Sequence, residues 1–180
     1  MSSAEERFER AYRAAEAGRY DEAEALYREE VEAGNTTAAY NLAELLTRLE
    51  GREADAEAAC HAAVAAGDPD AWALLGWLLE EQDGRLTQAE DAWRAAVDAD
   101  VEDARSGLTR VLLTMERYAE AEATVREALE LGEEEAILLF VGVLVAQGRR
   151  DAVEPELQAL VASGVPGAEA ALNGWRRAGD

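Results

Sequence analysis

A two-helix pattern recurs along this chain about every 33 residues, and this period constrains the fold more than any other feature. One turn residue marks the middle of each repeat, at successive spacings of 33, 33, 32 and 32 residues: Gly18, Gly51, Gly84, Glu116 and Gly148. A second turn residue marks the end of each repeat with the same spacings: Gly34, Gly67, Asp100, Gly132 and Gly164. Two landmarks with one period predict tandem repeats. Repeats this short cannot bury their own apolar faces, so they must stack on one another.

Residues 71–100 show the repeat most clearly. Before and after Gly84, apolar residues recur at the spacing of a helix with one buried face: Trp72, Leu75, Leu78, Leu79, Ala89, Trp93, Ala96 and Val97. The repeat is therefore predicted to be two short helices joined by a turn. Several helices are preceded by side chains with the spacing of N-terminal caps. We expect these to be Thr87 with Glu90, Asp21 with Glu24, and Asp68 before Pro69.

Four stretches resemble tetratricopeptide repeats: YNLAELL (40–46), WALLGWLL (72–79), GRYDEAEALYREEVEAG (18–34) and ERYAEAEATVREALELG (116–132). The small residues of that family's pattern stand at Ala23, Ala43, Ala56, Gly76, Ala89 and Ala121. The large residue of the second helix stands at Tyr27 and Trp93, and it is reduced to Cys60 in the second repeat. The related Sel1-like repeats are the near alternative.

The resemblance implies an all-α fold, a right-handed α-solenoid of about five helix pairs followed by a C-terminal capping helix. The repeats are expected at about 4–34, 36–67, 70–100, 103–132 and 134–164, with the cap at 168–177, all within a single domain spanning 1–180. The first helices of such arrays line a concave groove that usually holds a peptide of a partner protein.

The charge balance limits the partners. Acidic residues outnumber basic ones by 39 to 17, the formal net charge is −22, and every basic residue is an arginine. A chain this acidic is repelled by nucleic-acid phosphates and by anionic membrane surfaces, so neither is expected as a partner. The longest apolar run, 136–146, is far shorter than the roughly 20 residues that span a bilayer. With one cysteine and no signal-like segment at 1–16, a cytoplasmic location is expected.

Residues with catalytic or metal-binding chemistry are few. His61 is predicted to be a surface residue that pairs with Glu57 four positions earlier, and Cys60 to be a buried structural thiol. Neighbouring helical residues point about 100° apart, so these two cannot easily act as nucleophile and base. The acidic segment 98–103 lacks the spacing of a calcium loop. We therefore expect no enzyme activity, no metal and no cofactor.

The resemblance places a peptide-binding groove on the first helices. Aligning the repeats on Leu42, Leu75, Leu108 and Leu139 gives the expected groove residues: Tyr40, Asn41, Glu44, Arg48, Trp77, Glu80, Glu81, Arg110, Ile137 and Val141. Leu144 and Val145 extend the same end of the groove. Asn41 stands where the family often holds the ligand backbone. The clamp for a C-terminal carboxylate needs Lys, which this chain lacks.

Two features are unusual for a solvated face. Trp77 is a large aromatic residue where packing needs none, and such residues are enriched at binding hot spots; the alternative is that it folds back against Leu46 or Arg110. The segment 137–145, ILLFVGVLV, is apolar on every side, which predicts a helix buried all round. Either the capping helix with Leu172 and Trp175 covers it, or a partner or second copy does.

These observations lead to one favoured hypothesis of function and two alternatives. The favoured one is a protein-interaction module that holds a basic peptide or helix, or one with an apolar anchor, in its groove. A homodimer formed through the apolar 137–145 helix is the first alternative. A chaperone that holds a secreted or assembled substrate is the second.

Overall fold

A computed structural model describes residues 3–133 and 135–179. They form eleven α-helices: α1 (Ser3–Glu16), α2 (Tyr20–Glu32), α3 (Thr36–Thr47), α4 (Glu53–Ala65), α5 (Ala71–Glu80), α6 (Leu86–Asp98), α7 (Ala104–Thr114), α8 (Tyr118–Leu131), α9 (Ala136–Ala146), α10 (Val153–Ala162) and α11 (Ala168–Gly179). A 3₁₀ turn, Arg150–Ala152, leads into α10. The prediction of an all-α fold of helix pairs with a final capping helix is confirmed.

The turn residues that define the period are points where the backbone enters the left-handed region. All ten have φ between +57° and +98°, and eight of the ten are glycine, which adopts this conformation without steric cost. Asp100 and Glu116 adopt the same left-handed conformation, at φ 57° and 59°, although they carry a Cβ atom. The steric strain costs each of these turns roughly 1 kcal/mol. Both series of turns predicted from the sequence are therefore confirmed.

The predicted side-chain caps at Thr87 and Asp21 are wrong. Helices α6 and α2 begin at Leu86 and Tyr20, so both residues lie inside the first turn, and neither helix has a side-chain cap. The N-cap position is held by an arginine in each of α2, α4, α6 and α8, and an arginine side chain has no acceptor to offer. Helix α5 also begins two residues after Pro69, although the Asp68 carboxylate accepts a hydrogen bond from the Asp70 N–H at 3.2 Å.

The chain divides into two compact units, Met1–Val101 and Glu102–Asp180. In unit 1, the hairpins α1/α2, α3/α4 and α5/α6 stack in chain order. Its core combines large side chains with alanines that allow close approach of the helices, and includes Leu26, Tyr27, Leu42, Leu45, Leu46 and Leu78. Phe8 meets Tyr27 edge to face, with the ring centroids 6.1 Å apart. Trp93 is 2% exposed and lies against Gly76, where a Cβ atom would come within 2.6 Å of the indole.

Unit 2 contains the hairpin α7/α8, the helices α9 and α10, and the capping helix α11. Fully buried apolar residues fill its core: Val111, Val125, Phe140, Val143, Leu144, Val153 and Leu157. Helix α11 packs on α10 and α9 through Ala168 and Leu172. Arg150 lies 4.6 Å from the Trp175 ring centroid and Arg176 pairs with Glu154 at 2.7 Å, so cation–π and ionic contacts also hold the cap.

Two of these N-cap arginines, Arg52 and Arg85, link successive repeats. Arg52 binds Glu24 at 2.8 Å and Arg85 binds Glu57 at 2.6 Å, in each case reaching the second helix of the preceding repeat. Arg149 binds Glu122 at 2.7 Å in the same way within unit 2. Arginine contact lowers the pKa of Glu24 and of Glu57. Spacing within one helix does not reveal these pairs, because their members are 27 or 28 residues apart in the chain.

Asn35 and Glu30 tie the first three helices together. The Asn35 Oδ1 atom accepts from the Ala38 N–H at 3.2 Å and caps α3, while its Nδ2 atom donates to the Glu30 carboxylate at 3.2 Å. Glu30 is 1% exposed, and the Arg7 Nε–H donates to it at 2.5 Å. The Arg7 contact lowers the pKa of Glu30, so this buried carboxylate is kept ionised.

Candidate functional site

The candidate site in unit 1 lies on α3 and α5, two adjacent first helices of the repeats. Positions 33 residues apart are equivalent, so Glu44, Thr47 and Arg48 correspond to Trp77, Glu80 and Glu81. We call the predicted residues on these two helices and at their C-caps the first-helix face: Tyr40, Asn41, Glu44, Arg48, Trp77, Glu80 and Glu81. All seven are at least partly exposed. Their role in binding stays a prediction.

Trp77 is the most prominent apolar residue of the first-helix face. Half of its surface is exposed, whereas its neighbours Gly76 and Leu78 are buried. The helix therefore directs the flanking residues into the core and presents the indole to solvent. Other side chains therefore do not cover Trp77 completely, because half of its surface is exposed.

Tyr40 and Asn41 are half-buried and engaged with the core. Burial raises the pKa of Tyr27, nearby Glu44 raises it further, and hydrogen bonding from Asn41 partly opposes them. The Asn41 amide is thus directed toward a buried hydroxyl. Burial, with Glu44, Asp70 and Asp68 nearby, also raises the pKa of Tyr40, so both phenols stay protonated at neutral pH.

The three acidic residues of the first-helix face differ in their surroundings. Glu44 forms an ion pair with Arg48 one helical turn away. Glu80 accepts a hydrogen bond from the Trp93 indole N–H at 2.5 Å, so it also supports the core. Glu81 follows the end of α5 and is exposed. Of the three, Glu81 is the carboxylate most accessible to a basic ligand.

In unit 2, the predicted position of Ile137 is wrong. Ile137 is buried, and its Cδ1 atom lies 3.5 Å from where a Cβ would stand at Gly167, in the turn before α11. The alignment of Leu139 with Leu108 caused the error, because the residue equivalent to buried Leu108 is Phe140, 32 positions later. Leu144, placed in the groove by the same alignment, is fully buried as well.

The corrected register changes which side of α9 faces outward. Leu138 is 73% exposed and Val145 is 40% exposed, with exposed Gly142 between them. The first alternative, that the capping helix completes the burial of 137–145 within the chain, is therefore wrong, and coverage by a partner or a second copy stays a prediction. Val141 is half-buried, and Arg110 on α7 lies 3.4 Å from Glu135 just before α9.

Cys60 is buried and His61 is exposed, as the sequence predicted, but Glu57 pairs with Arg85 rather than with His61. Cys60 is fully buried, and burial raises the pKa of its thiol to about 12, so it is protonated and unreactive at neutral pH. His61 is exposed, and its ring meets Trp72 edge to face at 6.2 Å. Within 3–133 and 135–179, no group of three or more His, Cys, Asp or Glu side chains is arranged to hold a metal ion.

Two open clefts in unit 1 lie apart from the first-helix face. One, of about 270 Å³, lies between α2 and α4 over Leu42 and Leu46, where α4 presents Asp55 and the alanines Ala58, Ala59 and Ala62. The other, of about 520 Å³, lies between α1 and α2 among paired charges that include Arg10 and Glu22. The run of alanines in α4 is the sequence signal for the first cleft.

Comparison with solved structures supports the fold. The chain resembles a MamA mutant with a TM-score of 0.60 at 18% sequence identity, covering 86% of this chain and 94% of that one. It resembles a second MamA structure, MSR-1, with a TM-score of 0.62 at 16% identity, covering 96% and 95%. At these identities the likeness establishes a tetratricopeptide-like helical-repeat fold and nothing finer. No protein-family profile and no curated protein matches the chain.

The apolar helices are too short to cross a lipid bilayer. Among the described residues, no helix combines the length and the apolar character that a membrane span requires. Helix α9, the most apolar, has 11 residues, whereas a span needs roughly 20.

Proposed function

We propose that this chain is a non-enzymatic protein-interaction module that holds a peptide or helix of a partner protein on the first-helix face. The comparisons support a tetratricopeptide-like fold, and a fold of this kind suggests a scaffold for protein partners. The specific site, the class of partner and a cytoplasmic location are our proposals.

The exposure of Trp77 is the observation that carries this proposal. A tryptophan that is half exposed on a helix whose neighbouring residues are buried keeps a large apolar area in contact with water. Covering this area with a partner is favourable at about 25 cal/mol per Å², and aromatic residues so placed dominate many interfaces. The equivalent position on the adjacent first helix is held by Glu44, which is partly exposed.

Charge favours a basic partner. Residues 1–101 contain 24 acidic and nine basic residues, so unit 1 carries most of the negative charge of the chain. Exposed Glu81 stands one helical turn beyond Trp77 and can pair with a cationic side chain that lies on the indole. Binding through such contacts weakens as salt concentration rises, because salt screens exposed charges.

The test compares Trp77→Ala with a matched aromatic variant, Tyr20→Ala. Tyr20 begins α2 and is 42% exposed, close to the 50% of Trp77, but it lies on a second helix. Capture from native cell extract should recover a protein partner with wild type and with Tyr20→Ala, and lose it with Trp77→Ala. The free energy of unfolding should change by less than about 1 kcal/mol in both variants. A large loss of stability with capture unchanged would contradict the proposal.

A further inference from the structure

Helix α9 carries an exposed apolar surface that is separate from the first-helix face. We call Leu138, Gly142 and Val145 the α9 strip; these residues recur at helical spacing and share one side of the helix. The opposite side is buried in unit 2 through Phe140, Val143 and Leu144. The turn before α11 lies against Ile137 through Gly167, and the strip stays exposed. The 11 residues of α9 include no charged side chain.

We propose that the α9 strip is the docking surface for a second copy of this chain, with the two α9 helices crossing antiparallel at Gly142. The symmetry of the contact follows from this arrangement. A two-fold axis through Gly142 places each residue opposite the one equally far on the other side of Gly142 in the partner. The contact is therefore isologous and closes as a dimer.

Charges at the two ends of α9 favour the antiparallel arrangement. Glu133 and Glu135 precede the helix, and Arg149 and Arg150 follow it. Glu135 and Arg149 are each seven positions from Gly142, so the two-fold axis brings the acidic end of one copy toward the basic end of the other. Their side chains are 59% and 41% exposed, although Glu135 also pairs with Arg110, and Arg149 with Glu122. The antiparallel helix dipoles add to this attraction.

Gly142 allows the two helices to approach closely. A Cβ atom added there would meet nothing within 4 Å in the single chain, so the helix is open at this point. Leu138 lies one turn before Gly142 and Val145 one turn after it, so two copies can place these side chains on both sides of the glycine contact. A glycine at a helix crossing lets backbones approach more closely than any other residue.

The net charge of the chain favours the α9 strip as the place of self-contact, and the short length of α9 limits the affinity of the dimer. Two chains of net charge −22 repel each other, and an uncharged helix lets them meet without opposing carboxylates. A helix of 11 residues is about 16 Å long and buries much less than the roughly 800 Å² per partner of a stable interface. The dimer is therefore weak, with a dissociation constant on the order of 100 μM.

Salt concentration distinguishes this dimer from binding of a basic partner. Raising NaCl from about 0.02 M to 0.5 M screens the repulsion between the acidic chains and strengthens self-association. The pairs between Glu135 of one copy and Arg149 of the other are solvent-exposed and contribute little to the affinity of the dimer. Their screening by salt therefore does not reverse the strengthening of self-association. Binding of a basic peptide to the first-helix face should instead weaken as the NaCl concentration rises.

Sedimentation velocity of the full chain, at concentrations up to about 500 μM in 0.5 M NaCl, tests the proposal. Wild type should show a concentration-dependent monomer–dimer equilibrium, and Leu138→Glu should weaken association at least about tenfold by placing a carboxylate in the contact. Leu131→Glu is the matched control, since Leu131 ends α8 and is 61% exposed. A wild type that stays strictly monomeric would overturn the proposal. So would an equal loss of self-association in both variants, or a loss of self-association in Leu131→Glu alone.

Gly142→Ala adds an independent readout, because its effects on folding and on association have opposite signs. Alanine improves the helix, so the melting temperature of the dilute monomer should rise by a few degrees. The same methyl group separates the two backbones and should weaken dimerisation several-fold. Unchanged or stronger dimerisation in this variant would rule out a crossing at Gly142.

Discussion

At the scale of single residues, the contact between Gly76 and Trp93 is the most sensitive point of unit 1. A Cβ at position 76 would lie 2.6 Å from the indole, which is 2% exposed and held by its hydrogen bond to Glu80. Gly76→Ala should therefore lower the free energy of unfolding by about 1–3 kcal/mol in urea denaturation. Gly142→Ala, measured at low protein concentration, should raise it by about 0.5–1 kcal/mol. Equal effects of the two variants would contradict this packing.

Ser106 provides a second prediction at this scale. Its Oγ atom is buried, and among the described residues it has no hydrogen-bond partner. Ser106→Ala removes an unsatisfied group and should leave the free energy of unfolding unchanged or raise it by up to about 1 kcal/mol. Thr109→Val is the control, because the Thr109 hydroxyl donates to the Arg105 carbonyl at 2.8 Å, and its loss should cost about 0.5–1.5 kcal/mol. Thermal unfolding that ranks the variants the other way would show that Ser106 has a partner.

The sequence predicts burial correctly for residues whose position recurs in several repeats. It does not predict burial correctly where a register shift of one residue changes which side of a helix faces the core. Cys60 was predicted as buried because Tyr27 and Trp93 occupy the same place in other repeats. Ile137 was misplaced because nothing in a uniformly apolar helix distinguishes one side from another, so a shift of one residue passed unnoticed. The hydrogen bond from Trp93 to Glu80 depends on side-chain geometry that spacing alone does not give.

At the scale of helices, the periodicity located every helix pair but not the caps or the links between repeats. Apolar spacing reports which side of a helix is buried, and positive-φ turns report where it ends. Arg52 and Arg85 were unremarkable as single residues, and their partners Glu24 and Glu57 were assigned to pairs within one helix. Each of these carboxylates in fact joins two repeats, which only the stacked arrangement reveals.

Glu122 gives the links between helices a pH dependence. Burial raises its pKa, but hydrogen bonds from Gln147, Arg126 and Arg149 outweigh burial and lower it to about 2. A depressed pKa contributes stability above the unfolded value of about 4.5, and this is lost as pH falls toward 2. Glu122→Gln should cost on the order of 1–2 kcal/mol at pH 7, after allowance for solvent screening. Urea unfolding between pH 7 and 2.5 should show the difference from wild type shrinking; a constant difference would contradict this assignment.

At the scale of the whole molecule, the sequence predicted the fold because its evidence is distributed over five copies. An error in one repeat, such as the register of α9, leaves the others intact. Function has no such redundancy. Trp77 stands in a single repeat, and the equivalent residues of three other repeats are Glu44, Arg110 and Gly142. The choice of partner also depends on the sequence of the partner, which this chain does not contain.

The central claim is that Trp77 anchors a peptide on the first-helix face. Peptides selected from a random display library on the immobilised chain should be titrated by fluorescence anisotropy against wild type, Trp77→Ala and Tyr20→Ala. We predict that affinity falls at least about tenfold for Trp77→Ala and is unchanged for Tyr20→Ala, and that the selected peptides are basic. Equal affinity for wild type and Trp77→Ala would contradict the account.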